Sequence, residues 1–345
     1  MAIFKSTPAN EIIKGTAGAG DAVSYEDAKN GVFVDLVAGL ATGDGVDTLV
    51  NIEGVIGSQF NDLIVFAANT KTVNGGAGQD VIFLTNASPN LVFDKDDSLK
   101  GVEFINATFV TTAVNINLKN ETEGVTIFGS PGNDQITTGS GNDNVFAGTG
   151  NDLIDTQAGD DYIDAGPGDD IINAGDGTNK VLAGPGNDII TTGVGNDYIE
   201  GNEGNDIITA GAGNDYIIGG TGNDIIDAGS GNDIVVGFEG ADQVNGGTGT
   251  DVIILLESSA SLNTAADGDI NSVEIINAGL AQVGVAIDLS KQNEGFTVFG
   301  SEFNDIITGG AGADQIFGGK GDDKIIGFTV GDKIDGGNGT NTLEL

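Results

Sequence analysis

The sequence has 345 residues and a formal net charge of −40 at pH 7, because 52 Asp and Glu residues stand against only 12 basic residues, all of them Lys. Such acidity disfavours direct binding to nucleic acid or anionic membranes, and the absence of His, Cys and Trp excludes disulfides and the usual zinc ligands. A hydrophobic share of 39% argues against a disordered acidic tail.

Residues 1–56 contain degenerate nine-residue units, which we expect to form an N-terminal cap or initiator. The first residues, MAIFKSTPANEIIKG, lack the apolar stretch of roughly 7–15 residues of a cleavable signal peptide. No apolar run approaches the ~20 residues of a membrane helix. Clearer copies follow at 57–65 (GSQFNDLIV) and 75–83 (GGAGQDVIF), so residues 57–128 are predicted to be a short repeat pair followed by metal-poor β turns.

Residues 129–254 repeat one pattern fourteen times in phase, close to Gly-Gly-x-Gly-x-Asp-x-U-x with U aliphatic. In the copy GGTGNDIID at 219–227, the glycines allow the positive φ of a tight loop. Asp224 supplies a carboxylate, and the last three residues form a strand whose side chains alternate between faces. The eighth position, which we expect to point inward, is always a β-branched residue suited to packed strands: Ile136, Val145, Ile154, Ile163, Ile172, Val181, Ile190, Ile199, Ile208, Ile217, Ile226, Val235, Val244 and Ile253.

Two nonapeptides are predicted to make one full turn of a coil, with the order strand, loop, strand, loop. Successive turns of such a coil stack as parallel strands ~4.8 Å apart. Each loop should therefore lie over the loop of the preceding turn, so that the Asp side chains form two walls. The seventh position points outward, and on one face it is mostly apolar: Gln135, Leu153, Ile171, Ile189, Ile207, Ile225 and Gln243.

Residues 255–299 interrupt the array and are related to residues 84–128. The sequences VEFINA (102–107) and VEIINA (273–278) occupy equivalent places in the two interruptions, which are equally long and keep the nine-residue phase. We expect the solenoid to pass through them as metal-free turns, although separate binding modules are the alternative. Each array opens with Gly-Ser-x-x-Asn-Asp, and Phe60, Phe128 or Phe299 is expected to plug the first turn. Residues 300–345 form a second array and a C-terminal strand.

The stacked carboxylates repel one another, so a cation is expected between them. Calcium takes roughly 6–8 oxygen ligands from carboxylates and backbone carbonyls, whereas magnesium prefers a stricter octahedron and keeps its waters. Asp is also common in turns without any metal, but repetition in phase over fourteen copies favours the metal. Asn179 breaks the pattern, so the two sites that share it should be weak or empty.

About ten or more structural calcium ions are predicted, between Asp residues at the sixth position and Gly residues at the fourth. The candidate Asp ligands are Asp62, Asp80, Asp134, Asp143, Asp152, Asp161, Asp170, Asp188, Asp197, Asp206, Asp215, Asp224, Asp233, Asp242, Asp251, Asp305, Asp314, Asp323 and Asp332. The candidate Gly ligands are Gly132, Gly141, Gly150, Gly186, Gly195, Gly204, Gly213, Gly222 and Gly231.

The nonapeptide resembles the hemolysin-type, or RTX, calcium-binding repeat. This resemblance implies an all-β fold, a right-handed parallel β-roll (β-solenoid) with calcium between stacked loops, and loop carbonyls and aspartates as ligands. It also implies secretion to the cell exterior by a type I exporter that reads an uncleaved C-terminal signal.

The predicted function is that of a secreted structural protein that folds on extracellular calcium and forms part of a surface layer, sheath or extracellular fibre. An enzyme is not expected, because a chain without His has neither a Ser-His triad nor an HExxH motif. The expected partners are further copies of the chain, end to end or side to side, and cell-surface polysaccharide, with no nucleic acid and no membrane insertion. The alternative is a calcium-binding adhesin or the repeat region of a larger exported toxin.

Overall fold

The computed structural model describes residues 1–93 and 98–345. It confirms an all-β fold in which short parallel strands are stacked turn upon turn, as in a β-roll. The chain divides into two compact units, residues 1–175 (unit 1) and 176–345 (unit 2). In the repeats, the strands alternate along the chain between two sheets, because each nonapeptide supplies one strand and one loop.

In unit 1, one sheet contains β2 (Ile12–Lys14), β4 (Phe33–Asp35), β5 (Leu40–Thr42), β6 (Val46–Val50), β8 (Leu63–Val65), β10 (Val81–Phe83), β13 (Phe104–Asn106), β15 (Thr126–Phe128), β17 (Asn144–Phe146) and β19 (Tyr162–Asp164). A second sheet contains β1 (Ile3–Lys5), β3 (Ala22–Ser24), β7 (Gly54–Ile56), β9 (Thr72–Asn74) and β12 (Leu99–Lys100). A third contains β11 (Asn90–Val92), β14 (Asn115–Asn117), β16 (Gln135–Thr137), β18 (Leu153–Asp155) and β20 (Ile171–Gly175).

In unit 2, one sheet contains β21 (Lys180–Leu182), β23 (Tyr198–Glu203), β25 (Tyr216–Thr221), β28 (Ile234–Val236), β31 (Val252–Ile254), β33 (Ile275–Asn277), β35 (Thr297–Phe299), β37 (Gln315–Phe317) and β39 (Lys333–Asp335). A second contains β22 (Ile189–Thr192), β24 (Ile207–Thr209), β26 (Ile225–Asp227), β29 (Gln243–Asn245) and β32 (Ile270–Asn271). A third contains β34 (Ala286–Asp288), β36 (Ile306–Thr308), β38 (Lys324–Ile326) and β40 (Thr342–Glu344). The short strands β27 (Ser230–Gly231) and β30 (Thr248–Gly249) pair with each other, and a 3-10 helix spans Leu262–Thr264.

The core of the repeats is the predicted row of eighth-position Ile and Val residues. Strands β24 and β26 show the register, in which Ile208 pairs with Ile226 one turn later. All fourteen of these side chains are buried, the most accessible being Val235 at 4%, and the inward prediction is confirmed. Burying such a side chain contributes roughly 1.5–3 kcal/mol, so the repeated core supplies the main apolar stabilisation of each turn.

One sheet in each unit passes through the interruption at 84–128 or 255–299 without a break. In unit 1, Ile82 pairs with Ile105, and Ile105 pairs with Ile127. In unit 2, Ile253 pairs with Ile276, and Ile276 pairs with Val298, at the same two spacings along the chain. All four of these turns are longer than a turn of the repeats. The nine-residue phase survives each interruption because the two longer turns add up to a multiple of nine.

The other sheet is replaced at each interruption. In unit 1 the sheet that ends with β12 gives way to the sheet that begins with β11, and in unit 2 the sheet that ends with β32 gives way to the sheet that begins with β34. The 3-10 helix packs against β34 in unit 2. Each interruption thus keeps one sheet in register while the other sheet ends and a new sheet begins.

The N-terminal segment contains a three-stranded antiparallel meander within the otherwise parallel sheet. Strand β5 pairs antiparallel with both β4 and β6, while β6 pairs parallel with β2 and β4 with β8. The tight turn between β5 and β6 uses Gly43 and Gly45, whose φ angles of 118° and 93° suit glycine. Part of the predicted cap therefore differs in topology from the repeats.

The prediction that phenylalanines plug the first turn of each array is wrong. Phe60 and Phe299 are 45% and 36% exposed. Phe128 is only half-buried and stacks on Phe146 of the next turn, with ring centroids 5.2 Å apart. Phe128 and Phe299 are the last residues of their strands and follow an inward residue, so the alternation of side chains turns them outward.

Candidate metal-binding loops

The loops of successive turns stack so closely that backbone lies on backbone. Gly222 has φ +140°, and a Cβ atom there would lie 1.6 Å from the carbonyl oxygen of Gly204, one turn earlier. Gly204 is placed in the same way over Gly186, at 1.5 Å. A side chain at this fourth position is excluded by both conformation and space, and the close stacking brings loop carbonyl groups of neighbouring turns together.

Most of the other fourth-position glycines lie over the preceding turn in the same manner. A Cβ atom would lie within 3 Å of backbone atoms one turn earlier at Gly150, Gly195, Gly213 and Gly231. The same holds for Gly132 and Gly141, which lie in the first two repeats of the main array. Gly186 has φ +158°. The predicted Gly positions are therefore all loop positions, and the backbone there is the available ligand.

The sixth-position carboxylates each use one oxygen to hold the preceding turn. The backbone N–H of Asp206 donates to Oδ1 of Asp224 at 2.9 Å, and the N–H of Asp188 donates to Oδ1 of Asp206 at 2.8 Å. The same bond, at 2.7–2.9 Å, is accepted by Asp80, Asp152, Asp161, Asp170, Asp197, Asp215, Asp233, Asp242, Asp251, Asp323 and Asp332. The sequence-predicted Asp residues are thus brought together in vertical ladders.

The second oxygen of many of these carboxylates is buried and accepts no hydrogen bond. This holds for Oδ2 of Asp80, Asp143, Asp152, Asp197, Asp206, Asp215, Asp224, Asp233, Asp251 and Asp323. Buried polar atoms are nearly always paired, because an unpaired one forfeits its hydration. A ladder of unpaired carboxylate oxygens is therefore incomplete without a cation.

These oxygens border a small gap that backbone carbonyls also reach. A Cβ atom on Gly201 would lie 2.3 Å from Oδ2 of Asp206 and 2.5 Å from the carbonyl oxygen of Gly219. The carboxylate of one turn and the carbonyl of the next therefore face the same space. Within the described residues, no group of three acidic side chains could hold a metal ion, so a site here would combine carboxylates with carbonyl oxygens.

Burial makes the ladder acids hard to ionise without a counter-ion. The pKa of Asp152 and of Asp215 is raised from the ordinary value of 3.8 to about 7, mainly by burial and in smaller part by the charges of neighbouring ladder acids. Burial likewise raises the pKa of Asp206 to about 6. In each case the amide hydrogen bond from the preceding turn opposes the shift. A divalent cation beside the unbonded oxygen would restore the ionised form.

The first Asp of each array has a different environment. Ser58 donates its backbone N–H to Oδ2 of Asp62 at 2.5 Å and its hydroxyl to Oδ1 at 2.8 Å. Ser130 and Ser301 bind Asp134 and Asp305 in the same way, with all four distances 2.6–2.7 Å. In these three loops both carboxylate oxygens are bonded within the chain. The Gly-Ser-x-x-Asn-Asp motif marked them in the sequence, but the role of its Ser was missed.

Three further predicted positions depart from the ladder pattern. Asp314 uses its second oxygen to accept the N–H of Gly310 at 2.9 Å. Asp332 is only half-buried and accepts the N–H of Thr329.

Asn179 is buried at 2% exposed. Burial raises the pKa of Asp197, and hydrogen bonds from Asn179 oppose that rise. The amide thus supplies a neutral partner where an Asp would add charge.

The donor set fits calcium better than other biological cations. Carboxylate and carbonyl oxygens are hard ligands, and calcium accepts them in flexible, high-coordination arrangements. A family description of the RTX calcium-binding nonapeptide repeat, in four copies, matches residues 126–154, 146–181, 155–190, 182–217, 218–253 and 297–327. The chain carries RTX calcium-binding repeats.

The matched RTX segments cover the main array and the start of the second one, the regions that contain most of the unbonded Asp oxygens. RTX repeats bind calcium, and proteins that contain them are typically exported. No curated protein matches the chain. Among the described residues, no helix has the length and apolar character needed to span a bilayer.

Proposed function

We propose that this chain is a secreted structural protein that folds when its RTX loops bind extracellular calcium, and that copies of it assemble into a surface layer, sheath or fibre. The observation that carries the proposal is the series of buried Asp oxygens, such as Oδ2 of Asp206 and Asp215, that accept no hydrogen bond. Calcium would be held by these carboxylates and by loop carbonyls such as that of Gly219.

Folding coupled to calcium follows from the charge. With a net charge of −40, the chain repels itself where calcium is scarce, which keeps it open for passage through a type I exporter. Extracellular modules bind calcium with dissociation constants of about 10⁻⁴–10⁻³ M. Because the site does not exist in the open chain, the binding free energy becomes folding free energy. Each turn contacts only its neighbours, so folding is expected to spread along the coil.

Self-association is supported by the outward face of the second sheet of unit 2. Ile189, Ile207 and Ile225, here called the isoleucine row, pair in register on β22, β24 and β26. They are 43%, 43% and 49% exposed. Contiguous exposed apolar surface is typical of interaction sites. A second copy of the chain is the proposed occupant, and cell-surface polysaccharide is a further proposed partner.

A non-catalytic role agrees with the architecture, because RTX β-rolls are typically structural. The chain contains no His and no Cys, the residues most often used as bases and nucleophiles. The buried Asp residues bond the backbone of neighbouring turns, which is a structural use of acidic groups. We therefore propose stabilisation and assembly as the work of the molecule.

Electron microscopy of the calcium-loaded chain tests the assembly. We expect lattices or fibres in millimolar calcium and none after chelation. Ile207→Lys places a charge in the isoleucine row and should abolish them, while Val330→Lys, at a fully exposed position, should not. Separate particles for the wild type in calcium would contradict self-assembly and favour the adhesin or toxin-repeat alternative.

A further inference from the structure

In each unit, the Asp ladder beside the sheet that passes through the interruption continues beyond the last Asp of an array into a longer turn that carries Glu. Asp80 and Asp251 are 0% and 2% exposed. The N–H of Asp80 donates to Oε2 of Glu103 at 2.7 Å, and the N–H of Asp251 donates to Oε2 of Glu274 at 2.8 Å. Within the repeats this bond is accepted by the ladder Asp of the next turn. Glu therefore takes the structural place of the next ladder Asp after a turn of 23 residues.

The carboxylates of Asp80 and Asp251 also lack a partner for one oxygen. Oδ2 of each is buried and accepts no hydrogen bond. Oδ1 of each holds the amide of the preceding Asp in the same ladder, at 2.7 and 2.8 Å. An unbonded anionic oxygen in a side chain that is fully or almost fully buried points to a missing cationic ligand.

The gap beside each of these oxygens has the form found in the repeats. A Cβ atom on Gly75 would lie 2.4 Å from Oδ2 of Asp80 and 2.0 Å from the carbonyl oxygen of Gly101. A Cβ atom on Gly246 would lie 2.7 Å from Oδ2 of Asp251 and 2.1 Å from the carbonyl oxygen of Ser272. Carboxylate and carbonyl oxygens therefore meet in the Glu-containing turns as they do beside Gly201.

The two carbonyls are presented by the same backbone conformation. Gly101 and Ser272 have φ angles of 52°, and each lies two positions before the Glu. A serine rarely adopts this left-handed conformation. Its presence shows that the second turn reproduces the geometry of the first even without a glycine.

We propose that the pairs Asp80–Glu103 and Asp251–Glu274 each bind a calcium ion, together with the carbonyl oxygens of Gly101 and Ser272. These two sites lie outside the nonapeptide pattern and close the arrays at residues 57–83 and 129–254. The inference rests on calcium binding by the RTX repeats and extends it into the two interruptions, which the sequence had assigned to metal-free turns.

A third pair of the same form, Asp21–Glu53, needs no ion and provides an internal control. The N–H of Asp21 donates to Glu53 at 3.0 Å, and Asn51, two positions before the Glu, has φ 53°. Here the other Glu53 oxygen accepts the N–H of Gly18, and the two Asp21 oxygens accept backbone N–H groups. With all four carboxylate oxygens bonded, no buried oxygen is left for calcium.

Crystals of the full chain grown in calcium, with anomalous difference density measured at long wavelength, test the proposal directly. We expect a peak between Asp80 and Glu103, a peak between Asp251 and Glu274, and none between Asp21 and Glu53. Peaks between the Asp pairs of the main array, with none at the two Asp–Glu pairs, would overturn this inference alone. An absence of peaks throughout would instead contradict the proposed calcium function.

Equilibrium dialysis with radioactive calcium supplies the measurement in solution. Glu103→Gln combined with Glu274→Gln keeps a side-chain oxygen that can accept each amide hydrogen bond but removes the charge. This double variant should bind about two fewer ions per molecule than the wild type, while Glu53→Gln binds the same number. Circular dichroism in calcium verifies that all three proteins are folded. An unchanged ion count in the folded double variant would refute the two sites.

Discussion

Asp21 and Asp206 are both buried, at 4% and 0% exposed, but their carboxylates have different surroundings. Both oxygens of Asp21 accept backbone N–H groups, from Thr16 at 2.9 Å and Ala2 at 2.5 Å, and these bonds lower the pKa of the carboxyl. Asp206 has a bond to only one oxygen, and burial raises its pKa to about 6. The fold thus buries acids in two ways, one complete within the chain and one that requires a cation.

Another buried acid of the N-terminal segment shows the same contrast with the arrays. Asp47, at 1% exposed, accepts the hydroxyl of Ser6 at 2.8 Å, the hydroxyl of Tyr25 at 3.2 Å and the N–H of Glu11 at 3.1 Å. Hydrogen bonds to an ionised acceptor are the stronger ones. The N-terminal segment therefore satisfies these buried acids with hydrogen bonds from its own chain, whereas the arrays leave buried carboxylate oxygens without a partner.

Removal of calcium should have the largest effect and should separate the arrays from the N-terminal segment. We expect chelation to convert the arrays from β structure to open chain, because the ladder acids then repel one another in a buried setting. Amide hydrogen exchange followed by mass spectrometry should show lost protection across residues 188–251 and greater residual protection across residues 1–56. Magnesium at the same concentration should not restore the arrays. Equal protection of both regions in chelator would contradict the distinction.

Acidification of the calcium-free protein should have the next largest effect. Because the folded pKa values of Asp152, Asp206 and Asp215 are raised above the ordinary 3.8 to about 6–7, the fold binds protons more tightly than the open chain does. The stability that these three groups contribute to the fold is then fully present below pH ~4 and is lost as the pH rises through 6–7. Circular dichroism of calcium-free protein should show more β structure at pH 5 than at pH 7.5.

With calcium bound, the dependence should reverse, because protons compete with the metal for the same carboxylates. A higher calcium concentration should then be needed for folding at pH 5 than at pH 7.5. A calcium-free signal that stays constant or falls on acidification would show that burial of these acids does not limit the fold.

Single ladder positions should give intermediate effects. Asp206 belongs to the pairs with Asp188 and Asp224, whereas Asp242 belongs only to the pair with Asp224. A hydrogen bond to a charged group contributes ~1.5–3 kcal/mol, and about 1.4 kcal/mol corresponds to about tenfold in a binding constant. Asp206→Ala should therefore raise the calcium midpoint of folding by about tenfold or more, and Asp242→Ala by less.

The exposed Asp227, on strand β26, is the matched control for these substitutions. Asp227→Ala removes an acid from the same region without touching a ladder and should leave the midpoint nearly unchanged in a calcium titration followed by circular dichroism. Equal shifts for Asp206→Ala and Asp242→Ala would contradict the stacking of loops as ion-binding pairs.

The serine at the start of an array should give the smallest effect. Ser130→Ala removes the hydroxyl that donates to Asp134 at 2.6 Å but keeps the backbone N–H, so we expect the free energy of unfolding to fall by ~1.5 kcal/mol, the low end for a hydrogen bond to a charged group. Thermal unfolding in calcium measures it, and Ser140→Ala, at an exposed loop position, is the control. If both substitutions lowered the melting temperature equally, the serine would have no special role in satisfying the first carboxylate.

The repeating part of the fold could be predicted because one residue in nine fixes it. Ile208 and Ile226 recur in phase, and the alternation of a strand leaves them only one face to bury. The ladder of Asp206 and Asp224 follows from the same arithmetic. The residues that pair between turns recur in the sequence at the same spacing, so this spacing alone predicts both the strand pairing and the Asp ladder.

The irregular part could not be predicted from phase. The two longer turns that pair Ile82 with Ile105 and Ile105 with Ile127 sum to a multiple of nine, so the spacing of the flanking arrays does not reveal them. The bond from Asp80 to Glu103 depends on that longer turn and was missed for the same reason. The meander of β4, β5 and β6 arises from antiparallel pairing, which a parallel repeat pattern does not contain.

Each ladder carboxylate holds the turn before it, as Asp224 holds the amide of Asp206, and this has a mechanical consequence. A pull on the two ends of an array loads the same kind of link at every coil apart from those that share Asn179, so the other coils differ little in strength. The array would yield one coil at a time, and each coil would release about 60 Å of extended chain. When the protein is stretched in calcium, it would dissipate the applied work in a series of unfolding steps with evenly spaced force peaks.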